Sequence, residues 1–143
     1  MNDKKITQSA SDFTEDGRAL YFGGIPSEFA YKEAKAQGLV VATPGPQELF
    51  IDIDSDEEIA AFQINLELFM RYFPAEVTRE TPSRNGLPGR HIVVQVKTPG
   101  TNLTALERIL LQSLLGSDPK REILSYVRVS NGDPTPTLFF EKP

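Results

Sequence analysis

The sequence contains no cysteine, and it has a single histidine, His91. The absence of cysteine excludes disulfides, zinc ribbons, thiol catalysis and iron–sulfur clusters. One histidine cannot supply a multi-histidine metal site or a mechanism that needs two imidazoles. Any bound metal would therefore be held mainly by carboxylates, which favours Mg²⁺ or Mn²⁺.

Long apolar runs and an excess of positive charge are also missing. The N-terminal stretch MNDKKITQSASDF lacks the apolar core of a signal peptide, and no apolar run is long enough to span a membrane, so we expect a cytoplasmic protein. The net charge of −5 argues against binding nucleic acid through bulk electrostatics, although the 15 Lys and Arg leave room for a local basic face.

The pattern of apolar and turn residues predicts a polar, mobile arm at 1–18 and one α+β domain at 19–143. The first predicted elements are a helix at 27–38, capped by Ser27 and ended by Gly38, and a short strand at 39–42. Then follow strand 47–53, helix 56–73, strand 75–80, loop 81–89, strand 90–97, helix 101–116, a segment 118–129 that begins as a helix and could end as a strand, and strand 137–142.

From residue 47 onward, this order is that of the split β-α-β, or ferredoxin-like (RRM-like), architecture. Its antiparallel sheet has the strand order 4-1-3-2 and carries its helices on one face. We therefore expect a ferredoxin-like core at about 47–142, with the earlier helix and strand as an N-terminal extension. The side chains predicted to face the helices are all apolar: Ile51, Ile53, Val77, Ile92, Val94 and Val96.

The side chains that alternate with these apolar ones are predicted to lie on the face without helices, and most of them are polar: Asp52, Asp54, His91, Gln95 and Lys97, together with Phe50. Asp52 and Asp54 end the first strand of the core and His91 begins the third, so antiparallel pairing brings these ends together, beside the loop 81–89. Two carboxylates at i and i+2 of a strand point the same way, and they can share a divalent ion.

Each of these features also has a simpler explanation. Residues 55–58 (SDEE) form a capping box and complement the dipole of the following helix. That does not explain Asp52, which lies in a strand where Asp is disfavoured, so a metal pair and a solvated surface both remain open for Asp52 and Asp54. For His91 the alternative is an ordinary exposed strand histidine, and for 83–90 it is a plain polar loop.

Together, these motifs resemble the archaeo-eukaryotic primase superfamily, which includes the primase-polymerase domains of phages and plasmids. LFIDID (49–54) is similar to its h-D-h-D strand, and TPSRNGLPGRHIVVQV (81–96) to its Ser/Gly-rich segment with a strand that opens on histidine. SDPKREILSYVRV (117–129) is similar to the motif of the third acid. The resemblance covers roughly residues 47–130 and implies two divalent ions, Mg²⁺ or Mn²⁺, and an incoming nucleotide.

The resemblance also implies roles for individual residues. The implied metal ligands are Asp52, Asp54 and Asp118; the implied nucleotide-binding residues are Ser83, Arg84, Arg90, His91 and Arg128; the implied catalytic residues are Asp52, Asp54 and His91. Gly86 and Gly89 belong to the loop motif, and Arg121 is a further basic residue after the third acid. The chain departs from the family in its longer spacing from Ser83 to His91, in RVSNG (128–132) where the family has Arg-h-Pro-Gly-Ser, and in its small size.

Two functions follow from the resemblance. The first is a metal-dependent nucleotidyltransferase of the DNA primase/polymerase type, acting on nucleotides and single-stranded DNA or RNA in phage or plasmid DNA replication. The second is a catalytically inactive primase-like module that binds nucleotide, nucleic acid or a protein partner, such as a helicase or another replication protein. A rolling-circle initiator endonuclease shares the fold class but needs paired histidines.

Overall fold

The structure, a computed structural model, describes residues 32–83, 86–100, 102–133 and 136–142. The arm predicted at 1–18 and the Ser27 cap lie outside these residues. Residues 32–36 are helical, and Gly38, with φ +69°, follows them as the predicted terminator. The later elements are β1 (Val40–Ala42), β2 (Glu48–Ile53), α1 (Asp56–Phe69), β3 (Ala75–Pro82), β4 (Arg90–Val96), α2 (Ala105–Leu114), α3 (Pro119–Ser130) and β5 (Phe139–Glu141).

The central sheet has three strands. β4 lies between β2 and β3 and is antiparallel to both, which is the 1-3-2 part of the predicted order. The inward side chains of β2 and β4 are at most 2% exposed: Leu49, Ile51, Ile53, Ile92, Val94 and Val96. Phe62 and Phe69 of α1 and Leu115 at the end of α2 pack on them. The α+β class and the ferredoxin-like core are therefore confirmed.

The last strand is not where the predicted order puts it. β5 pairs with β1 in a separate two-stranded antiparallel ribbon, in which Val41 lies opposite Phe140. This β1–β5 ribbon packs on the other face of the central sheet, where Phe139 contacts Phe50 and Val93. The predicted order 4-1-3-2 is wrong at its fourth strand, and the face expected to be open is covered at Phe139.

The outer edge of β2, where that fourth strand was expected, is covered by side chains. Gln112 of α2 accepts a hydrogen bond from the Phe50 N–H at 2.8 Å, and Arg121 of α3 donates to the Phe50 carbonyl at 2.6 Å. Two residues further along, the Asp52 N–H donates to Ser117 Oγ at 3.0 Å. These bonds satisfy the backbone groups that a neighbouring strand would have used, so β5 finds its partner elsewhere.

The helix boundaries differ from the predicted ones by a few residues. Ser55 Oγ accepts the Glu58 N–H at 3.2 Å, as the capping box predicts, but Glu58 reaches back to the Asp54 N–H, at 2.6 Å. α1 ends at residue 69 rather than 73, and α2 begins at 105 rather than 101, after a complete capping box of Thr104 and Glu107. α3 is helical over its whole length, so the strand considered at its end does not form.

β3 is the exposed edge of the central sheet and runs to residue 82, two residues further than predicted. Val77 lies opposite Val94 on the apolar face, yet it is 40% exposed, because no strand covers its other side. A bulge interrupts the pairing between Val77 and Arg79, which discourages further strands from adding to this edge. In the described part of the chain, no helix has the length and apolar character needed to cross a membrane.

Candidate metal and nucleotide site

Asp52 and His91 are direct partners across β2 and β4. Both side chains lie on the face away from the main core, as the alternation of the two strands predicts. His91 Nε2 is 3.9 Å from Asp52 Oδ1, which is longer than a hydrogen bond. The pairing therefore places the only histidine of the sequence beside the first of the predicted metal ligands.

Asp52 is a crowded carboxylate. Its side chain is 24% exposed, and burial is the main reason that the pKa of Asp52 rises from 3.8 to about 6. Arg121 lowers this pKa, whereas the negative charges of Asp54, Asp118 and Glu122 each raise it. The end of β2 therefore concentrates acidic groups that repel one another.

Asp118, the third predicted acid, is held at this site by its backbone. Its N–H donates to the Asp52 carbonyl at 2.7 Å, just before α3 begins. Its side chain makes no capping hydrogen bond to that helix, so the carboxylate is not used to cap the N-terminus of α3. Burial raises the pKa of Asp54, and the charge of Asp118 raises it further. All three predicted metal ligands thus act on one another electrostatically.

This donor set suits a hard divalent cation. Carboxylate oxygens are the ligands that Mg²⁺ and Mn²⁺ prefer, and a cation would relieve the repulsion that adds to the effect of burial on the pKa of Asp52. Among the described residues, no three Asp, Glu or His side chains are already grouped closely enough to hold an ion. Mg²⁺ needs only one or two carboxylates when phosphate oxygens complete its coordination, so Asp52 and Asp54 are the residues that would hold it.

His91 lies under the β1–β5 ribbon. The Phe139 ring stacks on the imidazole at a centroid distance of 3.9 Å and on Phe50 at 4.3 Å, with an interplanar angle of 2° in both pairs. Glu141 Oε2 is 3.7 Å from Nδ1, too far for a hydrogen bond. Burial lowers the pKa of His91 to about 4, although the charge of Glu141 raises it. His91 is therefore neutral at pH 7 and, at 10% exposure, is covered by Phe139.

The loop between β3 and β4 is closed by its own hydrogen bonds. The Ser83 N–H donates to the Gly89 carbonyl at 2.9 Å, and Ser83 Oγ donates to the Gly86 carbonyl at 3.3 Å. A Cβ at Gly89 would lie 2.5 Å from Ser83 Oγ, so only glycine allows this approach. The two glycines of the predicted loop motif thus fix the position of its serine.

A cavity of about 270 Å³ opens beside this loop. Ser83, Gly86 and two cationic side chains, Arg79 and Lys142, line it. Arg79 is bound by both carboxylate oxygens of Glu141, at 2.9 and 3.0 Å, so part of the positive charge is already neutralised. Glu141 lines the cavity as well, so its charged lining carries a net charge of +1, which together with the hydroxyl suits an anion such as phosphate.

The predicted arginines are dispersed. Arg90 begins β4 opposite Ile53, whose side chain faces the main core, so the alternation of β4 places Arg90 on the opposite face from Asp52 and His91. There it donates to Glu80 at 2.6 Å. Arg121 points to the edge of β2, with its guanidinium carbon 5.3 Å from the centre of the Phe139 ring. Arg128 donates to the Pro136 carbonyl at 3.2 Å, in the connection between α3 and β5. Arg84 lies outside the described residues.

Three residues at the site were not predicted from the sequence. Glu122 is 3% exposed, is bound by Arg121 at 2.6 Å and by Gln112 at 2.9 Å, and raises the pKa of Asp52. Phe139 and Glu141 cover His91 from the ribbon. Glu122 could have been predicted, because it follows Asp118 by one helical turn. No local feature of the sequence indicates that β5 pairs with β1.

Comparison with known proteins adds no relative to this picture. No protein-family profile matches the chain, and no curated protein or solved structure matches it either. The chemistry of the site therefore has to be inferred from its own residues.

Proposed function

We propose that this protein is a primase-polymerase-like nucleotidyltransferase domain that binds a nucleotide through Mg²⁺ or Mn²⁺ held at the end of β2. The observation that supports it best is the placement of the three acids: Asp52 lies opposite His91, Asp54 follows it, and the Asp118 N–H donates to the Asp52 carbonyl. Burial is the main cause that raises the pKa of Asp52 to about 6, and the charges of Asp54 and Asp118 raise it further. This is the constellation implied by the resemblance to primases.

The residues of the chain have distinct tasks in this proposal. Asp52 and Asp54 hold the ion, which when bound would neutralise phosphate charge and activate the attacking 3′-hydroxyl. Asp118 adds a third acidic side chain at this end of β2. Ser83, together with Arg79 and Lys142 at the cavity of about 270 Å³, would bind the phosphate oxygens. Positioning by several such groups is most of what phosphoryl transfer requires.

His91 favours a second candidate, a primase-like module that binds without catalysing. In the structure the imidazole is stacked under Phe139 and is 10% exposed, so it does not face a ligand. Contact between His91 and a phosphate requires the β1–β5 ribbon to move away. A module of this kind would bind metal and nucleotide through the acids, or a replication protein, and would form no product.

The test is incorporation of a labelled nucleotide on a primed or unprimed single-stranded template with Mn²⁺. Wild type should form product, and Asp52→Asn should lose it by more than about 100-fold, because changes to the outer shell of a metal site alone cost 10–100-fold. Asp56→Asn is the matched control, since Asp56 is an exposed acid in the first turn of α1.

Two outcomes separate the candidates. Binding of Mn²⁺ and nucleotide without any product supports the non-catalytic module and rejects the enzyme. Failure of wild type to bind either, or equal activity in Asp52→Asn and wild type, rejects the site itself.

A further inference from the structure

The helical layer presents large apolar side chains to solvent. Ile64, Leu68 and Tyr72 follow one line along α1 and the turn after it, Leu106, Leu110 and Leu114 follow another along α2, and Ile123 and Tyr126 lie on α3; all are between 50% and 74% exposed. The first two sets have i, i+4, i+8 spacing, so each forms a stripe on one side of its helix. We call these eight residues the helix face.

Two grooves run along the helix face, one on each side of α2. The groove between α2 and α3 has a volume of about 500 Å³, with Leu110 on one wall and Ile123 and Tyr126 on the other. The groove between α1 and α2 has a volume of about 250 Å³, with Leu68 and Tyr72 facing Leu114. A helix that only covers a sheet carries polar residues on its outer side, so this arrangement is typical of a surface that packs against something else.

The exposed charges next to the helix face are of both signs. Glu57 and Glu67 lie on α1, Arg71 in the turn after it, Glu107 on α2 and Lys120 on α3, all exposed. Their charges sum to −1, whereas the whole chain carries −5. A rim of mixed sign and nearly zero net charge does not fit nucleic acid, which needs a basic surface, or a highly charged peptide. It does fit a second copy of the same surface, because a two-fold contact must be self-complementary.

The extent of the helix face also fits a dimer. A half-exposed large side chain leaves on the order of 100 Å² accessible, so eight of them amount to roughly 800 Å². That is about the area that each partner contributes to a stable interface of standard size.

We propose that the helix face is a homodimer interface, in which α2 of each copy packs into the grooves of the other about a two-fold axis. The proposal does not depend on the metal site, which lies at the end of β2. It predicts that the protein in solution has twice the monomer mass of 15.9 kDa.

The test is sedimentation equilibrium or light scattering of the full chain over a range of concentrations. Leu110→Glu and Ile123→Glu each place a charge on one wall of the larger groove. Each should weaken dimerisation by at least about 30-fold, the effect of a central interface residue. Leu87→Glu is the matched control, because Leu87 is 66% exposed but lies on the β3–β4 loop.

The variants replace exposed residues, and thermal unfolding of each one checks that it is folded. A dimeric wild type, a dimeric Leu87→Glu and two monomeric groove variants support the proposal. A wild type that stays monomeric at 100 times the concentration used for the variants contradicts the proposal. The helix face is then exposed, covered by another part of the chain, or bound by a different protein. An assembly that keeps growing with concentration also contradicts it, because a two-fold contact closes at two copies.

Discussion

Replacing Asp52 by Asn should make the protein more stable at neutral and alkaline pH. The wild-type carboxylate is forced to ionise where burial and the charges of Asp54, Asp118 and Glu122 oppose it, which is why its pKa rises from 3.8 to about 6. At about 1.4 kcal/mol per pH unit, this corresponds to about 3 kcal/mol of stability that wild type lacks above pH 6. The amide of Asn has the same shape and carries no charge.

The sign of the pH dependence follows from proton binding. Between pH 3.8 and about 6, the native state binds more protons at Asp52 than the unfolded state does, so this residue lowers stability as the pH rises. The advantage of Asp52→Asn is therefore fully present above pH 6 and disappears below pH 4. His91 acts in the opposite direction: its pKa falls from 6.5 to about 4, so its contribution to stability grows as the pH rises through that window.

The assay is urea unfolding of both proteins at pH 4, 5, 6 and 8 in the presence of a chelator. Wild type should show a nearly flat profile between pH 4 and 6, because the two residues offset each other, and Asp52→Asn should gain about 3 kcal/mol over the same range. Asp56→Asn, which loses a favourable helix-dipole contact, should be destabilised by up to about 1 kcal/mol at pH 8. Equal stability of Asp52→Asn and wild type at pH 8 would refute the reasoning.

Two further changes probe the contacts around the site. Phe139→Leu removes the ring stacked on His91, so the pKa of His91 should move from about 4 back toward 6.5; the imidazole protons of the only histidine report it by NMR titration, and an unchanged pKa would mean that Phe139 does not bury it. Gln112→Leu leaves the buried Phe50 N–H without its acceptor and should cost about 1–3 kcal/mol in urea unfolding, whereas a neutral effect would show that this bond does not replace a strand pairing.

The strand periodicity was sufficient to predict that Asp52 and His91 lie side by side, because β2 and β4 each direct alternate side chains to opposite faces. Side chains alternate along a strand, so Ile51 and Ile53 facing the core require Asp52 to face away, and antiparallel pairing then places His91 opposite it. Asp118 could be predicted only through the family motif, since its position depends on a backbone hydrogen bond to Asp52, 66 residues earlier in the chain.

The place of β5 could not be predicted in the same way. A strand of three residues is too short for its apolar pattern to identify its partner strand. The pairing of β5 depends instead on residues that are far from it in the sequence. Gln112 and Arg121 occupy the edge of β2, and Phe139 stacks on Phe50 and His91. The burial of His91 under Phe139 therefore depends on long-range packing, which the periodicity of single strands does not predict.

The most direct test of the account is a measurement of Mn²⁺ binding by electron paramagnetic resonance, with and without a non-hydrolysable nucleoside triphosphate. We expect wild type to bind Mn²⁺, to bind it more tightly with the nucleotide, and to release it to excess Mg²⁺. The double variant Asp52→Asn/Asp54→Asn should lose this binding, and Asp56→Asn should keep it. Absence of binding by wild type, or equal binding by the double variant, would contradict the claim that these carboxylates hold a metal.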